Sequence, residues 1–361
     1  MKPGEFDYID WLRQRTPADE RVLLGPGDDA AALNWPPGVP CLVTTDMLMD
    51  GVCFNLAEAG PRAVGRKAMA VNLSDLAAMA AKPIAALVSV ALPRSSPTAP
   101  ILIPTLPLTV PVPVPDSGTD RGKGMGNDSS RSSKEDVPSP TSIRRLAEQL
   151  YLGLREMADE FQTAIIGGDT NSWDGPLVIS VTAMGEATSS GPVRRSGAKP
   201  GDWLLVTGPL GGSIRGKHLA FTPRVREALR LHEIAHLHAM IDISDGLAAD
   251  VNHLCEESHC GAVLRAEQIP ITAEAQVAPV GQVAQSMNDA NSPLEHALTD
   301  GEDFELVFAV SEDEGRKLVQ SQPIPGITLT HIGECIEKGL WLEQQGQHRP
   351  LEPRGYEHEL R

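Results

Sequence analysis

The chain has 361 residues, and 48 Asp and Glu against 31 Lys and Arg leave a formal charge of −17. That length supplies two cores of ordinary domain size, while the acidic excess repels phosphate backbones and anionic lipid and argues against nucleic-acid or membrane-surface binding through a basic face. The five cysteines, Cys41, Cys53, Cys255, Cys260 and Cys335, include no C-x-x-C pair, which fits neither a disulfide framework nor a four-cysteine zinc site.

A reducing, cytoplasmic setting is expected from that cysteine usage. The N-terminus has no apolar signal-peptide core and no uninterrupted apolar stretch spans a bilayer, so the expectation is a soluble intracellular protein. In chain order, residues 42–46 and 84–92 read as buried strands, with helical spacing of apolar residues over 61–80 between them. The stretch 93–142 stands apart, with 10 of the 30 prolines and a polar, Gly/Ser-rich second half. It reads as an insert without a core. Its first half, ILIPTLPLTVPVPVP, is broken by Pro every two to four residues, which excludes helix and central strand and leaves a polyproline-like segment. A disordered loop is the plain reading of this insert, and a partner-docking P-x-x-P segment the other.

Helical spacing returns over 143–160. Residues 164–166 run as a strand into Gly167-Gly168-Asp169-Thr170, and 177–184 is a further strand. A Gly-, Ser- and Pro-rich break over 186–200 places a domain boundary near 188, giving an N-terminal domain 1–187 and a C-terminal domain 188–361. The second half begins with a strand from Asp202, then a helix over 223–240, a strand at 241–243 and a helix starting at Ser244. Later strands are expected at 261–264, 304–310 and 327–332. The fold class expected is α/β in two mixed domains.

The informative pattern is Asp beside Gly, Ser or Thr at the end of a strand or the start of a helix: Asp28, Asp29, Asp46, Asp75, Asp169, Asp242 and Asp245. Small neighbours let backbone approach an oxyanion, and carboxylates at strand ends point into the crevice where α/β ligands bind. Hard oxygen donors in such number suit Mg²⁺, which keeps waters and bridges carboxylates to nucleotide phosphates. Any one of these aspartates is also ordinary turn or N-cap chemistry; seven together shift the reading toward metal binding.

Three short patterns compete. Gly25-Pro26-Gly27-Asp28-Asp29-Ala30 fits a loose G-x-G-x-x-A dinucleotide motif, but two adjacent carboxylates repel a pyrophosphate. Gly211-x4-Gly216-Lys217-His218 has Walker A spacing and lacks the hydroxyl that ligates Mg²⁺. His232-Glu233-Ile234-Ala235-His236 matches H-E-x-x-H, which on a continuous helix would place two His on one face, yet no third ligand follows at a recognisable spacing. An amphipathic helix is the plainer reading of it.

Taken together, GPGDDAAAL (25–33), TTDMLMDGVCF (44–54), AVNLSDLAAMAA (70–81), IIGGDT (165–170), RRSGAKPGDWLLVTG (194–208), IDISDGL (241–247) and DGEDFEL (300–306) resemble the thiamine-monophosphate kinase family in order and approximate spacing. That family lies in the superfamily of two-domain ATP users that includes aminoimidazole ribonucleotide synthetase. The resemblance covers nearly the whole chain outside the insert.

The resemblance implies transfer of the ATP γ-phosphoryl group to thiamine monophosphate, with several Mg²⁺ ions, in a homodimer packed through the N-terminal domains. Family metal ligands match Asp29, Thr44, Thr45, Asp46, Asp75, Asp169, Asp242 and Asp245. Nucleotide contacts match Gly168, Asp169, Arg195 and Ser244, and Tyr151 beside the insert. The thiamine moiety falls to Cys53, Glu302 and Tyr356, with Asp169, Arg195 and Asp245 at the reacting phosphates. Cys53 stands where the family usually has His, and the segment between Ser213 and Pro223 is shorter than usual. Two other readings are a degenerate relative that binds Mg-nucleotide without turnover, and an aminoimidazole ribonucleotide synthetase-like ligase.

Overall fold

A computed structural model describes residues 5–26, 30–94, 140–276 and 291–357. Asp28, Asp29 and most of the insert lie outside them. Helix α1 (Glu5–Arg13) and a small ladder of β1 (Val22–Leu24) and β2 (Ala32–Leu33) lead into β3 (Cys41–Met49), α2 (Leu56–Ala59) and α3 (Pro61–Ala78). After these come β4 (Lys82–Pro93), α4 (Pro140–Glu160), β5 (Ala164–Trp173) and β6 (Val178–Glu186). The four long strands form one sheet in the order β3-β6-β4-β5, with only the β4–β5 pair parallel.

Helix α3 organises the molecule. Proline opens it with a φ suited to the first turn, and 14 of its 18 residues are buried. A helix without a solvent face must sit between layers. Against α4 the approach is so close that a Cβ at Gly65 would run into the Leu150 carbonyl, and one at Gly153 into that of Arg62. The sheet turns Leu42, Leu48, Ile179, Val181 and Ala183 toward this helical layer. Its other face leaves Val43 and Met47 about 60% exposed (61% and 62%).

The second sheet is built from β7 (Trp203–Val206), β8 (Ala239–Asp242), β9 (Gly261–Arg265), β10 (Leu306–Val310), β11 (Thr330–Ile336), β12 (Leu340–Gln344) and β13 (Gln347–Pro350). Its order is β13-β12-β9-β11-β7-β10-β8, antiparallel except for β12–β9. Short helices α5 (Lys217–Ala220) and α6 (Val225–Ile234) follow β7, and α7 (Leu247–Ser258) follows β8. Strand alternation sends Leu205, Met240, Leu306, Phe308 and Val310 into the core shared with α3. It sends Leu204, Val206, Ile241, Val307 and Ala309 into a second core against Leu247, Val251 and Leu254 of α7.

Two expectations from spacing are corrected. The helix expected over 223–240 stops at Ile234, where Ala235 turns extended, and β8 already begins at Ala239. The helix expected from Ser244 begins at Leu247, because the Asp250 carboxylate accepts the N–H groups of Asp245 and Gly246, both at 3.0 Å, and holds that turn ahead of the helix. Among the described residues no helix is long and apolar enough to cross a membrane.

Candidate active site

Two cavities open where α3 lies between the sheets, and Asp75 and Asp242 line both. The larger, about 1290 Å³, takes Asp46, Cys53 and Lys67 from the first half of the chain and Ser244, Asp245, Glu302 and Tyr356 from the second. The smaller, about 420 Å³, has Thr44, Arg194 and Arg195 around an apolar floor that includes Leu76, Met79 and Met240.

The local folding that gathers these groups is simple. Thr44 and Asp46 alternate on β3 and share its helix-facing side, so the Thr44 hydroxyl donates to Asp75 on α3 and the Asp46 N–H donates to Asn72 Oδ1 at 3.1 Å. One turn of α3 presents Ser74 beside Asp75, and the Ser74 hydroxyl donates to Asp242 Oδ2 at 2.6 Å across the domain boundary. The loop that carries Glu302 is pinned to the Ser244 turn. Glu302 and Phe304 hold φ of 54° and 51°, a conformation that persists only where surrounding contacts impose it. Here Glu302 N–H donates to Ser244 O at 2.7 Å, Phe304 N–H to Ile243 O at 2.8 Å, and Ser213 Oγ–H to Glu302 O at 2.5 Å. From the other side Tyr356 N–H donates to Asp245 O at 2.9 Å.

The carboxylates repel one another. Burial and then the neighbouring Asp75 push Asp46 up to about 7. Burial also raises Asp75, opposed by the Thr44 hydrogen bond and by Arg195. Asp242 is raised by burial and by Asp75, and Asp250 reaches about 8 through burial, Asp242 and Asp245. Such a cluster takes up protons unless another cation replaces them. Its donors are all oxygen, which is the chemistry of Mg²⁺. Among the described residues no three His, Cys, Asp or Glu side chains converge as a ready-made metal site. That arrangement fits an ion that arrives with substrate phosphates and is held by one or two carboxylates.

Arg195 sits on a loop fixed by the last residue of α7. Ser258 Oγ–H donates to Arg195 O at 2.8 Å and accepts Gly197 N–H and Ala198 N–H at 3.1 Å each. Not every expected residue joins the cluster. Thr45 points to the opposite face of β3, where its hydroxyl bonds Val181 O and Thr182 Oγ1. Asp169 and Gly168 lie on β5, the far edge of the sheet, and Asp169 registers with Ser89, Ser180 and Met47 in one row across the open face. Three strand spacings separate that row's ends, roughly 14 Å. Tyr151 lines neither cavity. It is buried between α1 and α4, edge-on to Trp11, with its hydroxyl against Thr16. The bulk of its ring and the apolar spacing of α4 put it in the core.

The competing motifs resolve structurally. Because α6 ends at Ile234, His236 leaves the helical face of His232, whose Nε2 lies 3.0 Å from Gly191 O, and Glu233 pairs with Arg230. Lys217 reaches Glu305 at 3.3 Å and Asp303 at 3.6 Å. Its charge serves a buried ion cluster rather than a phosphate loop. Spacing missed Lys67, Ser74 and Asn72, all fully buried on α3. A Lys four residues before Val71 on a buried stripe was the available signal for the first.

A two-domain α/β frame with a carboxylate-lined cleft between its halves is the frame of an enzyme that handles a metal-bound anionic substrate, and comparison with known proteins gives the chain its family. The model of the AIR synthase related protein N-terminal domain matches residues 27–103 and 132–187, and that of the C-terminal domain matches 199–340, so the chain belongs to this family. Within it the chain is a member of the thiamine-monophosphate kinases: it is 35% identical to the thiamine-monophosphate kinase of Rhodopirellula baltica over 98% of this chain and 97% of that protein. The crystal structure of thiamine-monophosphate kinase from Stenotrophomonas maltophilia is 29% identical, with a TM-score of 0.68, and the match covers 95% of this chain and 98% of that one. AaThiL complexed with AMPPCP and TMP is 26% identical, with a TM-score of 0.64, covering 99% of this chain and 97% of that one.

Proposed function

We propose that the protein transfers the γ-phosphoryl group of ATP to thiamine monophosphate, giving thiamine diphosphate and ADP, with Mg²⁺ and as a homodimer. The observation that carries this reading is the pair of cavities meeting at Asp75 and Asp242. An in-line transfer needs donor and acceptor to approach one point from opposite sides. The smaller cavity, with Arg195, takes the nucleotide phosphates; the larger, with Glu302, Tyr356 and Cys53, takes the acceptor.

The acceptor phosphate has its second pKa near 6 and is mostly a dianion at pH 7, so no general base is required. The obstacle is repulsion between two anions. Asp46, Asp75, Asp242 and Asp245, with the Thr44 hydroxyl, would hold Mg²⁺ at one or two carboxylates per ion, and the metal would supply the positive charge that offsets this repulsion. Arg195, whose charge already reaches Asp75 and Asp242, positions the transferred group as its charge spreads. Ser74 and Thr44 keep the two shared carboxylates aimed into the cleft. Glu302 supplies the negative partner for the cationic thiazolium, and Cys53 fills space beside it.

In a dimer built on the open face of the first sheet, Asp169 would reach the rim of this site from a second copy. The open face of the first sheet carries Val43 and Met47 on one edge strand, β3, and Asp169 on the other, β5. Two such faces packed about a two-fold axis along the strands lay β5 of one copy beside edge strand β3 of the other. That packing brings Asp169 of the partner subunit over Thr45 and Met47 on the open side of β3, at the rim of the site, while Thr44 and Asp46 face α3.

Phosphorus NMR of the protein with ATP, Mg²⁺ and thiamine monophosphate tests the reading. Thiamine diphosphate and ADP signals appearing together are expected. ADP without thiamine diphosphate, or no turnover with bound nucleotide, would reject it.

A further inference from the structure

Lys67 is among the largest fully buried side chains of the described residues, with 0% exposure. Buried lysines persist only when paired, and this one has a partner on each side of the cleft. Its ammonium donates to Cys53 O at 2.6 Å, on the turn after β3, and to Glu302 Oε1 at 2.5 Å, on the loop of the second half. Both partners line the larger cavity. Helix geometry puts Lys67 on the same stripe as Val71, Ser74 and Asp75, so one helix serves both ends of that cavity. Eight residues separate Lys67 from Asp75, about 12 Å along the axis.

The backbone of Glu302 is fixed by Ser244 and Ser213, but its carboxylate is about one-third exposed and has Lys67 as its ion-pair partner. His218, the next titratable ring, is lowered by burial, though its hydrogen bond to Ser213 O opposes this, so at neutral pH it brings no competing charge. Lys67 uses Oε1 and leaves Oε2 for a ligand.

We propose that Lys67 is a positioning residue for the acceptor: it presents the Glu302 carboxylate to the cationic ring and ties the Cys53 turn to the loop of the second half, so that this end of the pocket is preformed. The proposal rests on the kinase reading above. Without Lys67 the Glu302 side chain gains rotamers and turns toward water, and each binding event must order it again.

Steady-state kinetics of K67M, E302Q and the double variant test this, with K67Q alongside because it keeps a donor for Cys53 O and removes the charge. K67M and K67Q are expected to raise KM for thiamine monophosphate about 10-fold, the loss of one charge-assisted hydrogen bond, with KM for ATP changed less than about two-fold. In the E302Q background K67M should add less than about two-fold, because the ion pair with Glu302 is already gone and only the Cys53 contact is left to lose. Equal increases in both KM values, a full K67M effect on top of E302Q, or a fall in KM for thiamine monophosphate would overturn the role of Lys67 alone. An E302Q enzyme with unchanged KM for thiamine monophosphate would overturn the acceptor placement itself, and the proposal with it.

Discussion

Replacing Asp46 with asparagine should stabilise the metal-free protein at alkaline pH while destroying its activity. Asp46 is raised from 3.8 to about 7 in the folded state by burial and by Asp75. For an acid raised on folding, the native state binds the extra proton between the two pKa values, so stability is highest at low pH and falls as pH rises through that window. Between pH 5 and pH 8 this single group therefore removes about 3 kcal/mol of stability. The asparagine amide is nearly isosteric with the carboxylate and carries no charge, so the loss disappears in the variant. Urea unfolding in chelator at pH 5 and pH 8 reads the effect directly. Wild type should lose stability across the interval, D46N should lose about 3 kcal/mol less, and Mg²⁺ with nucleotide should restore wild type by mass action. Turnover of D46N should be absent. Parallel pH dependence in the two proteins would refute the idea that Asp46 is held charged against its surroundings.

The second half should prove most sensitive at Glu305, which is 1% exposed and receives Arg224 Nε and Nη2 at 2.7 and 2.8 Å and Thr207 Oγ1 at 2.8 Å. R224A leaves that carboxylate buried with Thr207 and Lys217, at a cost of about 2–4 kcal/mol in urea unfolding; a loss below about 1 kcal/mol would show that Lys217 suffices. Although burial pushes Glu305 up, Arg224 and Lys217 hold it below its usual 4.5, so the difference between wild type and R224A should shrink as pH falls below that value. On the open face of the first sheet, M47E places a negative charge at one end of the row that ends at Asp169, where in the proposed dimer it faces and repels Asp169 of the partner subunit. Light scattering should then find monomers, with turnover lost together with the dimer; active monomers would remove Asp169 from the site.

Much of the fold was legible because its strands and helices obey simple periods. The strands around Leu42 and Ile84 and the helix from Pro61 were readable from apolar spacing alone, and so was the pattern of aspartates at strand ends. Spacing failed where a motif assumed that an element continues. His232 and His236 share a face only on a helix that does not stop, and this one stops at Ile234. Lys217 has the spacing of a phosphate-loop lysine, but its charge is taken by Asp303 and Glu305 from a loop some 90 residues away in sequence.

By itself, then, the sequence determined the acidic character, the two-domain α/β frame and the residue types of the site, since composition, period and turn chemistry are local properties. Tertiary structure alone decided which of those residues meet. Alternation along β3 sends Thr44 and Asp46 to the helix and Thr45 to the open face; strand order puts Asp169 three strands away; the burial of α3 between the sheets makes Lys67 and Ser74 two of the bonds between the two halves. A one-dimensional pattern fixes a side chain's position along its own element. Only packing fixes what stands opposite it, because contacts across a cleft join residues 168 and 235 positions apart in the chain.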